Sequence, residues 1–114
     1  MKNNMNKITP LTRVINSEGL PYYVQLKDHP KHKTKIEGYT LKNLAKKIGN
    51  LRYDALSKFL NALADKIQED GKKDKNAKRT KLAKELATSQ EYIRMADDHI
   101  QEALNICVPK MKKE

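Results

Sequence analysis

The residues of this chain that could bind a metal are few and isolated. His29 and His32 lie on either side of a proline, and imidazole nitrogens are common zinc ligands. No cysteine and no further histidine lies near them in the sequence. Asp98, His99 and Glu102 fall within about one helical turn, but carboxylate-bridged metal sites need inward-facing Glu-x-x-His motifs from several helices. We therefore predict no metal site and no cofactor.

The sequence also lacks a catalytic constellation. Cys107 is the only cysteine, and it lies on an apolar stripe, where a buried and inert thiol is expected rather than a nucleophile. No glycine-rich phosphate loop occurs, and no serine lies in a nucleophile-elbow context. We predict a protein that is not an enzyme and has no catalytic residue.

Composition bears on location and partners. A single cysteine excludes an internal disulfide, which favours the reducing cytoplasm. No segment has the uninterrupted apolar length of a transmembrane helix, so no membrane partner is expected. The chain of 114 residues carries 24 Lys and Arg against 14 Asp and Glu, a net charge of +10. This surplus favours anionic partners such as nucleic acid or an acidic protein.

The positive charge is concentrated in one short stretch. Residues 70–84 hold seven basic and two acidic side chains. One interpretation is contact with nucleic acid phosphates through segment 72–84, and the other is that the lysines only keep the surface soluble. The residues predicted to contact nucleic acid here are Lys72, Lys73, Lys75, Lys78, Arg79 and Lys81.

A helical period begins after Thr40, whose hydroxyl can cap a helix N-terminus. Asp70 and Gly71 supply a stop, since glycine suits the left-handed position after a helix. The spacing predicts one helix over about 40–70. Its apolar residues, three or four apart, are Leu41, Leu44, Ile48, Leu51, Ala55, Phe59, Leu63 and Ile67.

A strict heptad pattern predicts a second helix over about 76–108, ended by Pro109. The short connection at about 71–75 makes the two helices an antiparallel hairpin and brings Phe59 near Ser89. The predicted core stripe of the second helix is Leu82, Leu86, Ser89, Ile93, Ala96, Ile100, Ala103 and Cys107.

Segment 40–60 resembles the helix-turn-helix of repressor-type DNA-binding proteins. The likeness lies in an apolar-Ala pair, an apolar-Gly pair and three later apolar positions: Leu44-Ala45, Ile48-Gly49, Leu51, Leu56 and Phe59. It covers about a fifth of the chain, needs one extra residue in the turn after Gly49, and implies a recognition helix at 51–60. On that reading Arg52, Tyr53, Asp54 and Lys58 face DNA. The unbroken apolar phase across Gly49 favours one continuous helix instead, and that is our prediction.

The chain before the helices differs in character. Residues 1–39 form an irregular arm with a basic linker, and 40–114 form the helical hairpin, within a single domain overall. Punctuation by Pro10, Gly19, Pro21 and Pro30 argues against long helices here. Residues 12–15 and 22–26 flank a turn-like segment and suit a short β-hairpin, while a short helix over 11–16 is the alternative.

The first helix carries more apolar surface than one partner helix can cover. Either the N-terminal arm or a second copy of the hairpin must cover the remainder, and two hairpins make a four-helix bundle. The first functional hypothesis is therefore a homodimeric assembly module, and the second is a nucleic-acid-binding protein. The residues predicted at the oligomer interface are Tyr53, Leu56, Leu60, Tyr92, Met95 and His99.

Overall fold

The computed structural model describes residues 11–26 and 32–111. The chain divides into two compact units, Met1–Leu41 and Lys42–Glu114. The described residues form strands β1 (Thr12–Ile15) and β2 (Pro21–Val24) and helices α1 (Leu41–Gly49), α2 (Tyr53–Asn76) and α3 (Thr80–Met111). The predicted class, mainly α with a long antiparallel two-helix hairpin, is confirmed, with α2 and α3 as its arms. None of the helices described is both long and apolar enough for a bilayer crossing.

The first unit contains the predicted β-hairpin rather than the alternative short helix. β1 and β2 pair antiparallel, with Thr12 opposite Val24 and Ile15 opposite Pro21. The Asn16 side chain accepts hydrogen bonds from the backbone N–H groups of Glu18 and Leu20, both at 2.9 Å. Gly19 has φ +83°, a conformation that favours glycine, so the turn depends on these two residue types.

The prediction of one continuous helix over 40–70 is wrong. α1 ends at Gly49 with the Leu51 N–H bonded to the Ile48 carbonyl, a tighter turn than the α-helix. Arg52 then has φ −57° and ψ 147°, which is extended backbone, and α2 begins at the next residue. The apolar spacing did not reveal this break, because a non-helical ψ at Arg52 leaves the spacing of apolar residues in the sequence unchanged.

The turn of the helical hairpin lies at 77–79, not at 71–75. Gly71 does not stop the helix but lies buried inside α2, and Lys78 instead adopts the left-handed conformation with φ 66°. The Arg79 N–H bonds the Asp74 carbonyl at 2.8 Å across this turn. The second helix therefore starts at Thr80, later than predicted. It continues to Met111, so Pro109 lies inside the helix and does not end it.

Small and polar residues fill the contact between α2 and α3. The buried residues of the two helices are Ala64, Gly71, Ala83, Gln90 and Asp97. Ser89 and Ala96, which the heptad analysis placed in the core, are exposed, and Leu82 is 47% exposed. Compared with the heptad prediction, α3 is therefore rotated about its axis by about one residue position, so that Gln90 and Asp97 face α2 in place of Ser89 and Ala96. The predicted contact of Phe59 with Ser89 is wrong, because moving the turn shifts the register between the helices.

Candidate functional site

One edge of the helical hairpin is polar and holds the two helices in register. The guanidinium of Arg94 in α3 reaches α2, where Nη2 donates to Asp65 Oδ1 at 2.8 Å and to Gln68 Oε1 at 3.1 Å. Its Nε donates to Gln90 Oε1 on the same helix at 2.6 Å. We call this side, with Asn61, Gln68 and Arg94, the polar edge.

A buried carboxylate lies next to the polar edge. Asp97 is only 2% exposed. Its Oδ2 accepts hydrogen bonds from Asn61 Nδ2 of α2 at 2.7 Å and from Gln101 Nε2 one turn along α3 at 2.8 Å. Its Oδ1 is buried without a hydrogen-bond partner among the described residues. Asn61 also donates to the Ser57 carbonyl at 3.0 Å, so the contact is tied to the backbone of α2.

The pKa of Asp97 reports a balance between burial and hydrogen bonding. Burial raises the pKa of the carboxyl by disfavouring its charge, but the polar donors Ser57, Gln101 and Asn61 stabilise the charged form, outweigh that effect and hold the pKa below its usual range. None of these three donors titrates. Asp97 therefore acts as a charged acceptor that joins α2 to α3.

The opposite edge of the hairpin is apolar. Two residues along an α-helix correspond to a rotation of about 200°, so side chains two positions from a polar-edge residue point to the other side. Phe59 and Leu63 are each two positions from Asn61, and Tyr92 and Ala96 are each two positions from Arg94. We call this side the apolar edge; it comprises Leu56, Phe59, Leu63, Ala96 and Ala103, and Tyr92 lies beside it on the outer face of α3, two positions from the buried Gln90.

The apolar edge remains largely exposed. Phe59 is 37% exposed, Leu63 39% and Tyr92 65%. No large side chain among the described residues is fully buried. An exposed apolar surface beside so thin a core is typical of a protein–protein contact.

The residues predicted at an oligomer interface fall into two groups. Tyr53, Leu56 and Leu60 of α2 are half-buried, and Tyr53 and Leu60 share the helical row of Ala64 and Gly71 that faces α3. Tyr92, Met95 and His99 of α3 are exposed. The structure thus leaves the α3 group accessible, while Tyr53 and Leu60 contribute to the hairpin itself.

A groove of about 370 Å³ lies between α2 and α3 near the turn of the hairpin. Its floor consists of small residues, Gly71, Ala83 and Ala87. Its rim carries Lys72 and Lys75 from α2 and Lys84 from α3, and Gln68 and Gln90 close its inner end. We call this groove the tip groove. Gln68 belongs to the polar edge and also lines the tip groove, so the groove opens on the polar edge, opposite the apolar edge.

The basic residues predicted to bind nucleic acid are distributed unevenly around the turn. Lys72 and Lys75 line the tip groove, whereas Lys73, Lys78 and Lys81 are exposed outside it. Arg79 is engaged by Asp74, with Nε 2.8 Å from Oδ1. Lysine charge therefore lies both at the groove and outside it, while the ion pair with Asp74 neutralises the charge of Arg79 at the turn.

The residues expected to face DNA from a helix-turn-helix lie around the start of α2. The break that the resemblance requires is present between α1 and α2. Among the described residues, however, the extensive contact between helices is that of α2 with α3, not that of α1 with α2. Arg52 donates from Nε and Nη2 to both carboxylate oxygens of Asp54, at 2.7 and 2.8 Å. This bond lowers the pKa of Asp54 to about 2. Lys58 is exposed, and Tyr53 is half-buried.

The residues considered for metal binding or catalysis do not converge. His29 lies outside the described residues, and His32 is exposed. Asp98, His99 and Glu102 are exposed along α3, and Cys107 is half-buried. Across 11–26 and 32–111, no three His, Cys, Asp or Glu side chains form a group able to hold a metal ion.

Sequence reasoning missed the residues that shape the two edges. Gly71, interpreted as a helix stop, is the floor of the tip groove, and a Cβ added there would lie 3.4 Å from Leu86 Cβ. Asp97 was not singled out, although a carboxylate seven residues after Gln90 repeats a polar heptad position. Lys84 was counted in the basic stretch but not as a contact residue. The signal in the sequence that could have indicated the buried positions was this second heptad of Gln90 and Asp97, one residue after the apolar heptad.

Comparison of the chain with protein-family models, with curated proteins and with solved structures yields no match.

Proposed function

We propose that the chain is a small, non-enzymatic helical assembly module in which two copies pair through their apolar edges. The observation that supports this most strongly is the exposure of Phe59 and Leu63 at the apolar edge, with the exposed Tyr92 beside it, on a hairpin that fully buries no large side chain among its described residues. Completing the burial of a half-exposed large apolar side chain contributes about 1 kcal/mol. A symmetric contact counts each such residue twice.

A second copy of the chain suits the apolar edge because of the composition of α3. Leu86, Ile93 and Ile100 form one row of its heptad and are half-buried against α2. The neighbouring row includes Ser89 and Ala96, which are small and exposed. Small side chains let a further helix approach closely, beside larger ones that fill the remaining space.

The geometry of such a pair is a closed four-helix bundle. A two-fold contact uses the same surface on both copies, so it ends at a dimer and leaves no free apolar edge. Two antiparallel hairpins packed face to face are the usual route to this bundle. We place the module in a reducing compartment such as the cytoplasm, because its single cysteine allows no internal disulfide.

Light scattering coupled to size exclusion tests the proposal on the full chain at micromolar concentrations. We expect the mass of a dimer, falling toward 13.1 kDa on dilution. Leu63→Glu places a charge on the apolar edge and should give a monomer. Ala62→Glu is the matched control, because it adds the same charge at the adjacent exposed position of α2 and should remain dimeric.

A second variant protects the test against loss of folding. Tyr92 is mostly exposed, so Tyr92→Glu leaves the hairpin intact while opposing pairing. Circular dichroism at 222 nm checks that each variant keeps its helix content. A wild-type chain that is monomeric at every concentration would overturn the proposal, as would a dimer that both edge variants leave unchanged.

A further inference from the structure

The tip groove combines an apolar floor with a positively charged rim. Gly71, Ala83 and Ala87 present little beyond backbone and methyl groups, and the groove volume of about 370 Å³ lies within the range of ligand pockets. None of its lining residues in the described part of the chain is acidic. An occupant therefore meets apolar surface below and ammonium groups at the sides.

The charges on the rim are not used within the hairpin. The ion pairs among the described residues engage Arg52, Lys66, Arg79 and Arg94, and none of them involves Lys72, Lys75 or Lys84. Lys72 and Lys75 are three residues apart on α2, so they project from neighbouring positions on one side of the groove. Lys84 lies on the opposite helix. Three unpaired positive charges around one groove favour an occupant with several negative charges.

We propose that the tip groove binds an acidic segment of a partner protein, with an aliphatic side chain on the floor and carboxylates against the lysines. The floor decides between this occupant and nucleic acid. Bases bind non-specifically by stacking on aromatic rings or guanidinium planes, and among the described residues no aromatic or arginine side chain lines the groove. Phosphate contact alone would need the lysines but not the floor. Aliphatic side chains fit a surface of methyl groups and glycine.

This site is separate from the contact proposed for assembly. The groove opens on the polar edge, so pairing through the apolar edge leaves it accessible. Binding at the groove and dimerisation can therefore succeed or fail independently. Light scattering on the groove variants below reports the dimer separately.

Fluorescence anisotropy on the full chain provides the test, with three labelled probes. The first is a twelve-residue peptide of glutamates with leucines at two positions four residues apart. The second is a polyglutamate of equal length, and the third is a twelve-nucleotide oligothymidylate. We expect the leucine-containing peptide to bind at least about tenfold more tightly than polyglutamate, because burying its apolar side chains adds to charge attraction.

Two pairs of substitutions separate the groove from the general charge of the tip. Lys72→Gln with Lys84→Gln removes one rim charge from each helix. Lys73→Gln with Lys81→Gln removes the same charge from exposed positions outside the groove. The groove pair should weaken the leucine-containing peptide about tenfold, and the control pair less than about threefold.

Ala87→Trp tests the floor without changing charge. Ala87 is exposed at the groove, so the larger side chain fills the cavity while leaving the helix contact intact. It should weaken the leucine-containing peptide while leaving polyglutamate unchanged. The proposal would be overturned if the two pairs of lysine substitutions weakened the leucine-containing peptide equally, or if the wild-type chain bound the two peptides with equal affinity. It would also be overturned if oligothymidylate bound more tightly than the leucine-containing peptide, or if no probe bound.

Discussion

Replacing Gly71 by alanine gives a prediction whose sign depends on the tertiary structure. Gly71 lies inside α2, where glycine is about 1 kcal/mol less favourable than alanine. A Cβ at this position would lie 3.4 Å from Leu86 Cβ, 3.5 Å from the Ala83 carbonyl oxygen and 3.8 Å from the Ala87 nitrogen. These are ordinary van der Waals distances, so the methyl group fits without displacing α3. Gly71→Ala should therefore stabilise the hairpin by about 1 kcal/mol.

The assay is urea unfolding followed by circular dichroism at 222 nm, at one fixed protein concentration, because self-association would make stability depend on concentration. In thermal unfolding, the same gain of about 1 kcal/mol corresponds to a rise in Tm of roughly 4 °C for a chain of this size. Gly71→Leu is the companion variant. Its Cβ already lies 3.4 Å from Leu86 Cβ, so the larger side chain crowds α3 and should destabilise by about 1–3 kcal/mol.

The opposite result for alanine would refute the reasoning. If Gly71 ended a helix in a left-handed conformation, as the sequence suggested, Gly71→Ala would cost about 1–2 kcal/mol. Destabilisation of that size would mean that α2 does not continue through this position and that α3 does not approach it closely.

Three further predictions concern the turn, the buried carboxylate and the start of α2. Lys78→Gly should stabilise by about 0.5–1 kcal/mol in the same assay, because Lys78 has φ 66°, and Lys78→Val should destabilise. Asp97→Asn should cost about 1–2 kcal/mol at pH 7. Because the folded-state pKa of Asp97 is lowered, this contribution is present above the unfolded pKa of about 3.9 and is lost as pH falls through the folded pKa. The unfolding curves of wild type and Asp97→Asn should therefore converge in acid, and a constant difference down to pH 2 would contradict this origin. Arg52→Ala should return the pKa of Asp54 from about 2 toward 3.8 in an NMR titration, and an unchanged value would exclude the hydrogen bond as its cause.

The local features of the fold could be predicted from the sequence where one or two residues decide them. Asn16 and Gly19 favour a tight turn, and the structure places the β-hairpin turn there with Gly19 at φ +83°. Thr40 directly precedes α1. The heptad repeat of α3 and the short connection before it are enough to require an antiparallel hairpin.

Helix boundaries could not be predicted, because packing overrode the local signals. Asp70-Gly71 is a turn signal by local criteria, whereas a lysine at position 78 is not. Packing reversed that order, since Gly71 allows α3 to approach closely, whereas Lys78 accepts a strained φ where the chain turns. At Arg52, a change in one ψ angle ended a helix that the apolar spacing continued.

The sequence by itself determined that two amphipathic helices fold back on each other and carry more apolar surface than one contact can cover. Only the tertiary structure decided which surface is inside. Asn61 and Gln68 on α2 match Asp97 and Arg94 on α3, and burying a carboxylate requires such hydrogen-bond donors at close range. Apolar packing has no direction and tolerates a rotated helix, but these polar pairs form at one rotation alone. That rotation leaves Phe59, Leu63 and Ala96 exposed at the apolar edge.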